Sequence, residues 1–550
     1  MQIDIKQARK KGYYLEIKKD GKIFIIHNRY DPRAEAQKWW NQIKNRIDGK
    51  NVILFGGGAG YFSELVKRNT QNCTIIELLP RFEAINGFSF KDGRFFLEEH
   101  NTIENILKLL PSKQLMNSIP IVHPGYQEVF PRLLPKVHND VILTGRKILR
   151  ERQSTRRFFW LWFDNFLEIL PEIETMSSLT ALAGSREQTP ALLVGAGPSL
   201  SDSLDWVARV QDRVTIIAAD TALSSLQSKN IRADFAITID PQQANAEYLQ
   251  GVKPATNLVA SWSARQEYFD WAKNKLRFPV YISSGLSEER TVFPLSAWFK
   301  RFVNGIDFLQ SGGSVSATGL DFAQYLHCNP IGIVGIDHGY PDMRGGASGS
   351  LWEQKQISNL NRFTSLADCH IKKISDTREV YTKKLLLKES IRGNKIYTTD
   401  EYISQNNWFE EAGRNLPARC CDFRADGLRM KNWEVIKSPL KFFKSNYFSS
   451  KDNLKPLKKK KITVDWQQFQ NETEKMLRSL KETNTPPPRN SETQPGSGEE
   501  LKFLIANSFY PFEDSPDSLE TDPKKNYAKF KKEFSGRLQK LLKLIRQKTG

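Results

Sequence analysis

Cysteine is scarce in this chain: five in 550 residues (Cys73, Cys328, Cys369, Cys420 and Cys421), an odd and scattered set without metal-ligand spacing. That set suits a reducing, cytoplasmic compartment. Long apolar runs are missing as well. No stretch approaches the ~18 apolar residues of a membrane span, and the N-terminus, Met-Gln-Ile-Asp-Ile-Lys, has no apolar signal core, so secretion and membrane insertion are not expected. The formal charge is +19, yet no helix-turn-helix, zinc-finger or RNP-type signature accompanies it, and no nucleic-acid partner is expected. Residues 441–550 hold 23 Lys and Arg against 14 Asp and Glu, a lysine-rich bias that leaves attraction to an acidic partner or membrane surface open.

Chemistry is written most clearly at 191–200, where Ala-Leu-Leu-Val runs into Gly-Ala-Gly-Pro-Ser-Leu. An apolar strand breaks into a glycine turn and then into helical spacing, the pattern of a phosphate-cradling loop. Gly195 and Gly197 can take angles barred to other residues and bring no Cβ against a ligand. Pro198 suits a first helical position, and amides through Ser199 are expected to face an anion. Leu200 stands where the dinucleotide fingerprint wants glycine or alanine, which argues against ordinary NAD or FAD binding. A second apolar run ends in Asp220-Thr221, with the acid near the spacing of a ribose-binding carboxylate, and a third ends in Asp240. Ser311-Gly-Gly-Ser314 then opens a helical stretch, and Ile331-Gly-Ile-Val-Gly-Ile supplies one more strand ending in Asp337-His338-Gly339-Tyr340. Parallel strands that finish in Gly or Asp place those groups together at a ligand crevice. Asp220 and Asp240 also read as helix N-caps.

Elsewhere, Phe55 leads through Gly-Gly-Gly-Ala-Gly60 to a strand closing on Glu77, a second glycine turn that reads as an accessory Rossmann-like unit without its own chemistry. Arg156–Leu170 carries apolar residues at 159, 163, 166 and 170, a helical stripe for core packing. Residues 351–410 read as helices with a loop at Gly393, and His370 falls in a loop. After four lysines at 458–461 come an amphipathic helix over 464–480, a Pro/Gly/Ser linker over 485–498, and a last helix from about Lys524. That helix sets Tyr527, Phe530, Phe534, Leu538, Leu541 and Ile545 on one face among lysines, a form suited to a partner groove, an anionic membrane surface or the protein's own body.

Taken in order, Gly-Ala-Gly-Pro-Ser-Leu, Ala-Asp-Thr-Ala, Ile-Asp-Pro, Gly-Gly-Ser-Val and Gly-Ile-Asp resemble the motility accessory factor family of bacteria over about residues 20–435. Tyr30-Asp31-Pro32 and the Phe55–Tyr61 turn fit the same family. The resemblance implies a glycosyltransferase moving a nonulosonic, sialic-acid-like sugar from a CMP-activated donor to Ser or Thr of flagellin or another surface protein. The central part is similar to archaeal 6-hydroxymethylpterin diphosphokinases, which implies the alternative of ATP-dependent pyrophosphoryl transfer with Mg²⁺, for which Asp220, Asp240 and Asp337 could converge. A nucleotide-binding scaffold without turnover is the third reading.

The motifs also resemble bacterial lipooligosaccharide sialyltransferases. Carried over, Gly195, Gly197, Pro198 and Ser199 would hold nucleotide; the strand-end reading adds Asp220, Thr221 and Asp240 to the donor site. Gly313 and Ser314 would line the donor pocket and Tyr340 would touch phosphate. Departure of an anionic leaving group needs preorganised donors, and the acceptor hydroxyl needs a base, for which Asp337, His338 and His370 are the candidates. The expected fold is α/β and multi-domain: an N-terminal Rossmann-like domain (1–110), a helical connector (111–184), a central Rossmann-like parallel sheet resembling the sialyltransferases (185–345), a helical cap (346–450) and a basic tail (451–550).

Overall fold

A computed structural model describes residues 1–550 other than 71, 81–93, 98–101, 132–133, 254–255, 284–294, 381–384, 446–450, 452–453, 455, 486–503, 506–507, 510–511, 513–522 and 550. The chain divides into two compact units, Met1–Arg157 with Thr483–Phe530, and Phe158–Glu482 with Lys531–Gly550. Among the described residues no helix is long and apolar enough to cross a membrane. Most of the Pro/Gly/Ser linker expected at 485–498 lies outside the described residues.

In the first unit, β1 (Gln2–Gln7), β2 (Tyr13–Lys19) and β3 (Lys22–Ile26) form an antiparallel sheet. A second, parallel sheet has the order β6-β5-β4-β7, built from β4 (Asn51–Phe55), β5 (Cys73–Glu77), β6 (Phe95–Phe96) and β7 (Ser118–Val122). Every residue of β4 is buried, as a strand covered on both faces requires.

The second unit is built on nine strands whose ladders are all parallel. They are β8 (Ala191–Val194), β9 (Thr215–Ala219), β10 (Phe235–Thr238), β11 (Asn257–Ser261), β12 (Arg277–Ser283), β14 (Phe308–Gln310), β15 (Ile331–Val334), β18 (Cys420–Asp422) and β19 (Glu434–Val435). β13 (Val303–Asn304) pairs instead with β20 (Thr463–Val464), and β16 (Leu385–Glu389) with β17 (Lys395–Thr399). The order β14-β12-β11-β10-β9-β8-β15-β18-β19 means that the chain winds outward from β8 to β14 and then returns to the other side of β8. That reversal between β8 and β15 is the topological switch, where ligand crevices of open parallel sheets form at the carboxyl ends. Leu193, Ile217, Ile237, Val259, Leu309 and Ile333 supply the core beneath it, together with Leu320 and Phe322 of the helix Val315–Tyr325.

Three expectations change. The segment 346–450 is not a helical cap alone: the loop at Gly393 turns the β16–β17 hairpin, and β18 and β19 extend the central sheet. Strands of two and three residues are too short to show a period. His370 lies within the helix Leu366–Val380, not in a loop. Finally, the helix Pro523–Thr549 turns its apolar face inward: Tyr527, Phe530, Phe534, Leu538, Leu541 and Ile545 are all buried. Phe534 packs 6.4 Å and 6.2 Å from the rings of Phe159 and Phe163, and Arg537 grips Asp164 with two 2.8 Å hydrogen bonds. The apolar face is thus taken up within the chain, by Phe159, Trp160 and Phe163 around Phe534 and by Phe509 and Phe512 around Tyr527 and Phe530.

Candidate active site at the sheet switch

At the carboxyl end of β8 the chain stays laddered to β15 beyond both strands. Gly195 N–H donates to the Val334 carbonyl (2.9 Å) and Gly197 N–H to the Gly335 carbonyl (2.7 Å). A Cβ at Gly195 would stand 2.5 Å from Gly335 O, and one at Gly197 2.7 Å from Asp337 Oδ2. Neither glycine has a positive φ. Both are therefore required by the approach of the neighbouring strand exit, and the expectation of unusual backbone angles is corrected. Gly335 does have φ +63°, and a Cβ on it would run into the Gly195 carbonyl and come within 2.8 Å of Leu200 Cβ. This explains the missing sixth-position glycine: the close contact made there is relieved from the facing turn, by Gly335.

Pro198 opens a short 3₁₀ turn, Pro198–Leu200, and Ser199 is fully buried. Ser199 N–H donates to Asp337 Oδ2 at 2.7 Å, and its hydroxyl donates to Asp337 Oδ1. The amides of 195, 197 and 199, expected to grip phosphate, are thus bonded within the protein. Ala196 and Gly197 remain half-exposed as the reachable rim of the turn.

Residues 164–343 match the family described as 6-hydroxymethylpterin diphosphokinase MptE-like. The matched residues carry β8 to β12, β14 and β15 of the central sheet. The full chain is similar in fold to a MAf glycosyltransferase from Magnetospirillum magneticum AMB-1, with a TM-score of 0.53 and 14% identity, covering 100% of this chain and 92% of that one. An uncharacterized protein of Treponema pallidum (strain Nichols) is 30% identical over 133 residues, 22% of this chain and 62% of that relative's length. The multi-domain α/β fold with its Rossmann-like sheet is as the sequence led us to expect.

Around the exit of β15, the second unit buries an ionic network that sequence reading missed. Arg424 donates to both carboxylate oxygens of Asp422 (2.9 and 2.7 Å), to the Ile336 carbonyl (2.7 Å) and to the Leu428 carbonyl (3.0 Å). Its only sequence signal is an Asp-Phe-Arg that follows a short apolar run. Burial pushes the Asp337 carboxyl up to about 6, against the opposing pull of its Ser199 bonds and Arg424. His338 sits at φ +49°, with Nδ1 3.4 Å from Asn406 Oδ1 and its ring 5.4 Å from that of Phe409. Burial pushes it down to about 3, so it is neutral but enclosed, and its expected role as an accessible base is not realised. Tyr340 N–H donates to the Tyr397 carbonyl (2.8 Å) and its buried ring lies 5.7 Å from that of Tyr402.

Along the other strand ends of the central sheet the expected residues divide. Asp220 is buried, accepting from Thr221 N–H (2.7 Å), Thr238 Oγ1 (2.7 Å) and Tyr268 OH (2.9 Å), and burial raises its pKa. Asp240 is half-exposed and closes a turn on Gln242 N–H (2.8 Å). Gly313 is exposed at φ +83° with open space where a Cβ would point, and Ser314 caps Val315–Tyr325 through Ala317 N–H (3.2 Å). Asp240, Gly313 and Ser314 are open to solvent in part or in full. Asp220 and Asp337 spend their oxygens on hydroxyls and amides, so the convergence with Asp240 on Mg²⁺ is not realised. Among the described residues no group of three or more His, Cys, Asp or Glu side chains is arranged to hold a metal ion.

The glycine turn of the N-terminal unit is filled by its own side chains. Gly57 N–H donates to Glu77 (3.2 Å), Gly58 N–H to Tyr126 OH (3.1 Å) and Ala59 N–H to His27 Nε2 (2.8 Å). Arg94 pairs with Glu77 at 2.7 Å, both fully buried. Where a nucleotide-binding loop would present amides, this one has already satisfied them.

Proposed function

We propose that the protein is a glycosyltransferase that takes a CMP-activated nonulosonic sugar at the β8–β15 switch and transfers it to a Ser or Thr hydroxyl of flagellin or another surface protein. The observation that carries this reading is one of extent: the fold likeness to a MAf glycosyltransferase spans the whole chain, whereas the likeness named for a diphosphokinase spans residues 164–343.

On this reading the donor lies along the rim formed by Ala196, Gly197, Asp240, Gly313 and Ser314. Breaking the bond from the anomeric carbon to phosphate leaves an oxocarbenium-like sugar and an anionic CMP, while the acceptor oxygen forms the new bond and gives up its proton. Asp240, the half-exposed acid of the three at the strand ends, is the base we assign, since Asp220 and Asp337 are enclosed. His370 uses Nδ1 to accept from Gly345 N–H (3.0 Å), which leaves Nε2 carrying hydrogen and suits that ring to donation.

The test is incubation of the purified protein with a CMP-nonulosonate and recombinant flagellin, followed by intact-mass spectrometry. We expect one sugar mass per modified hydroxyl, and Asp240→Asn to lower kcat by about 10²-fold or more with a smaller change in donor KM. Formation of a pterin diphosphate from ATP and 6-hydroxymethylpterin, with no sugar transfer, would establish the diphosphokinase reading that the matched family's name favours.

A further inference from the structure

The loop after Tyr340 gathers cationic groups beside the glycine turn. Ala347 N–H donates to the Ala196 carbonyl (3.0 Å) and Ser348 N–H to Ser201 Oγ (2.8 Å), fastening this loop to the turn's outer rim. Within it, Gly345 is held from both sides by the helix Leu366–Val380: its N–H donates to His370 Nδ1 (3.0 Å) and its carbonyl accepts from Lys373 Nζ (2.7 Å). Lys373 also lies 4.2 Å from the centre of the Trp352 ring, which fixes its stem. The next residue is glycine again. A Cβ on Gly346 would lie 3.6 Å from Lys373 Nζ, 3.8 Å from Ala196 O and 3.9 Å from Ser350 Oγ, so an ammonium, a hydroxyl and the rim of the glycine turn border one small space.

Arg344 supplies the second observation. Its Nη2 pairs with Asp202 (3.1 Å) and Asp342 (3.5 Å), yet its Nε is buried without a hydrogen-bond partner. A buried N–H without an acceptor is uncommon in folded proteins and signals a missing one. An oxyanion is the group that would satisfy a guanidinium N–H and an ammonium together.

We propose that Arg344, Lys373 and the Nε2–H of His370 form an anion clamp that holds the phosphate of the nucleotide donor beside the Ala196–Gly197 rim. This rests on the donor reading above and gives the leaving phosphate its cationic partners, which the internally bonded amides of 195, 197 and 199 do not provide. Among the described residues, the charged groups acting on His370 are Glu353 of the helix Leu351–Ile357, Lys373 of its own helix and Arg344 of the loop. Burial pushes Lys373 down to about 8. Its charge, and with it phosphate affinity, is present below that pH and lost as pH rises through it.

Calorimetric titration of the full-length protein with CMP and with cytidine tests the clamp. Wild type is expected to prefer CMP, and Lys373→Met to lose roughly tenfold or more of CMP affinity with cytidine affinity unchanged. Lys373→Arg should restore the preference and keep it above pH 8, where the wild type loses it. Arg344→Met, with thermal unfolding recorded for each variant, separates loss of the clamp from loss of the fold. A CMP-to-cytidine ratio unchanged in both Met variants overturns the clamp. If ATP binds in place of CMP, the donor assignment fails, and the ATP-to-adenosine ratio in the same variants decides the clamp separately. Absence of phosphate-dependent binding by either nucleotide overturns both.

Discussion

Asp337 is fixed at the exit of β15 by the hydrogen bonds it accepts from Ser199. Its position after an apolar run identified a strand end at the switch, and the structure puts it there, but with both oxygens taken by Ser199. Asp337→Ala would leave a buried amide and hydroxyl without an acceptor, and we expect a loss of about 2–4 kcal/mol in chemical denaturation. The pH dependence has a definite sign. An acid raised from an ordinary value near 3.8 to about 6 binds more protons folded than unfolded between those values. Its contribution is complete below about pH 4 and is lost as pH rises through 6. The stability difference between wild type and Asp337→Asn should therefore shift against the wild type across that window and be flat above it; a flat difference throughout would show that Asp337 titrates normally. Ser199 gave no such signal, since a hydroxyl reads alike whether it faces a ligand or a neighbouring carboxylate.

Glycines carry the same lesson at the level of the element. β8, β9, β10 and β15 were legible as apolar runs because strands buried on both faces need no polar alternation. What the turns after them do was not legible, because a glycine required by a facing strand is written like one required by a phosphate. Gly335 and Gly313 separate the two cases. Gly335→Ala combines a left-handed backbone with a collision at the Gly195 carbonyl, and we expect a loss of about 2–4 kcal/mol. Gly313→Ala meets only the backbone cost, about 1 kcal/mol, because its Cβ would point into open space. Thermal unfolding of the pair checks this; equal losses would remove the inter-strand collision as the reason for Gly335. β18 and β19 lay beyond sequence reading for another reason: pairing with a neighbour, not their own composition, makes strands of two or three residues.

At the scale of the whole molecule, the net charge and the last helix pull apart. The sequence left a basic amphipathic helix with three destinations, and its own pattern could not choose, since an apolar face is equally complementary to lipid, to a partner and to another helix of the same chain. The choice is made some 370 residues away, by Phe159 and Phe163, which pack on Phe534, and by Asp164, which receives Arg537. The lysines then remain on the outside: Lys529, Lys532, Lys540 and Lys543 are exposed while Phe534, Leu538 and Leu541 are buried. Phe534→Ala should cost about 3–5 kcal/mol, the range for emptying a fully buried aromatic site. Changing Lys529, Lys532, Lys540 and Lys543 together to Gln should alter stability by no more than about 1 kcal/mol in 0.15 M salt, where exposed charges are screened. Truncation before residue 523 should behave like an extreme form of the first and not of the second, exposing Phe159 and Phe163 to water and driving aggregation. A truncated chain that stays monodisperse with an unchanged Tm would show that the helix is an appendage whose apolar face has some other use.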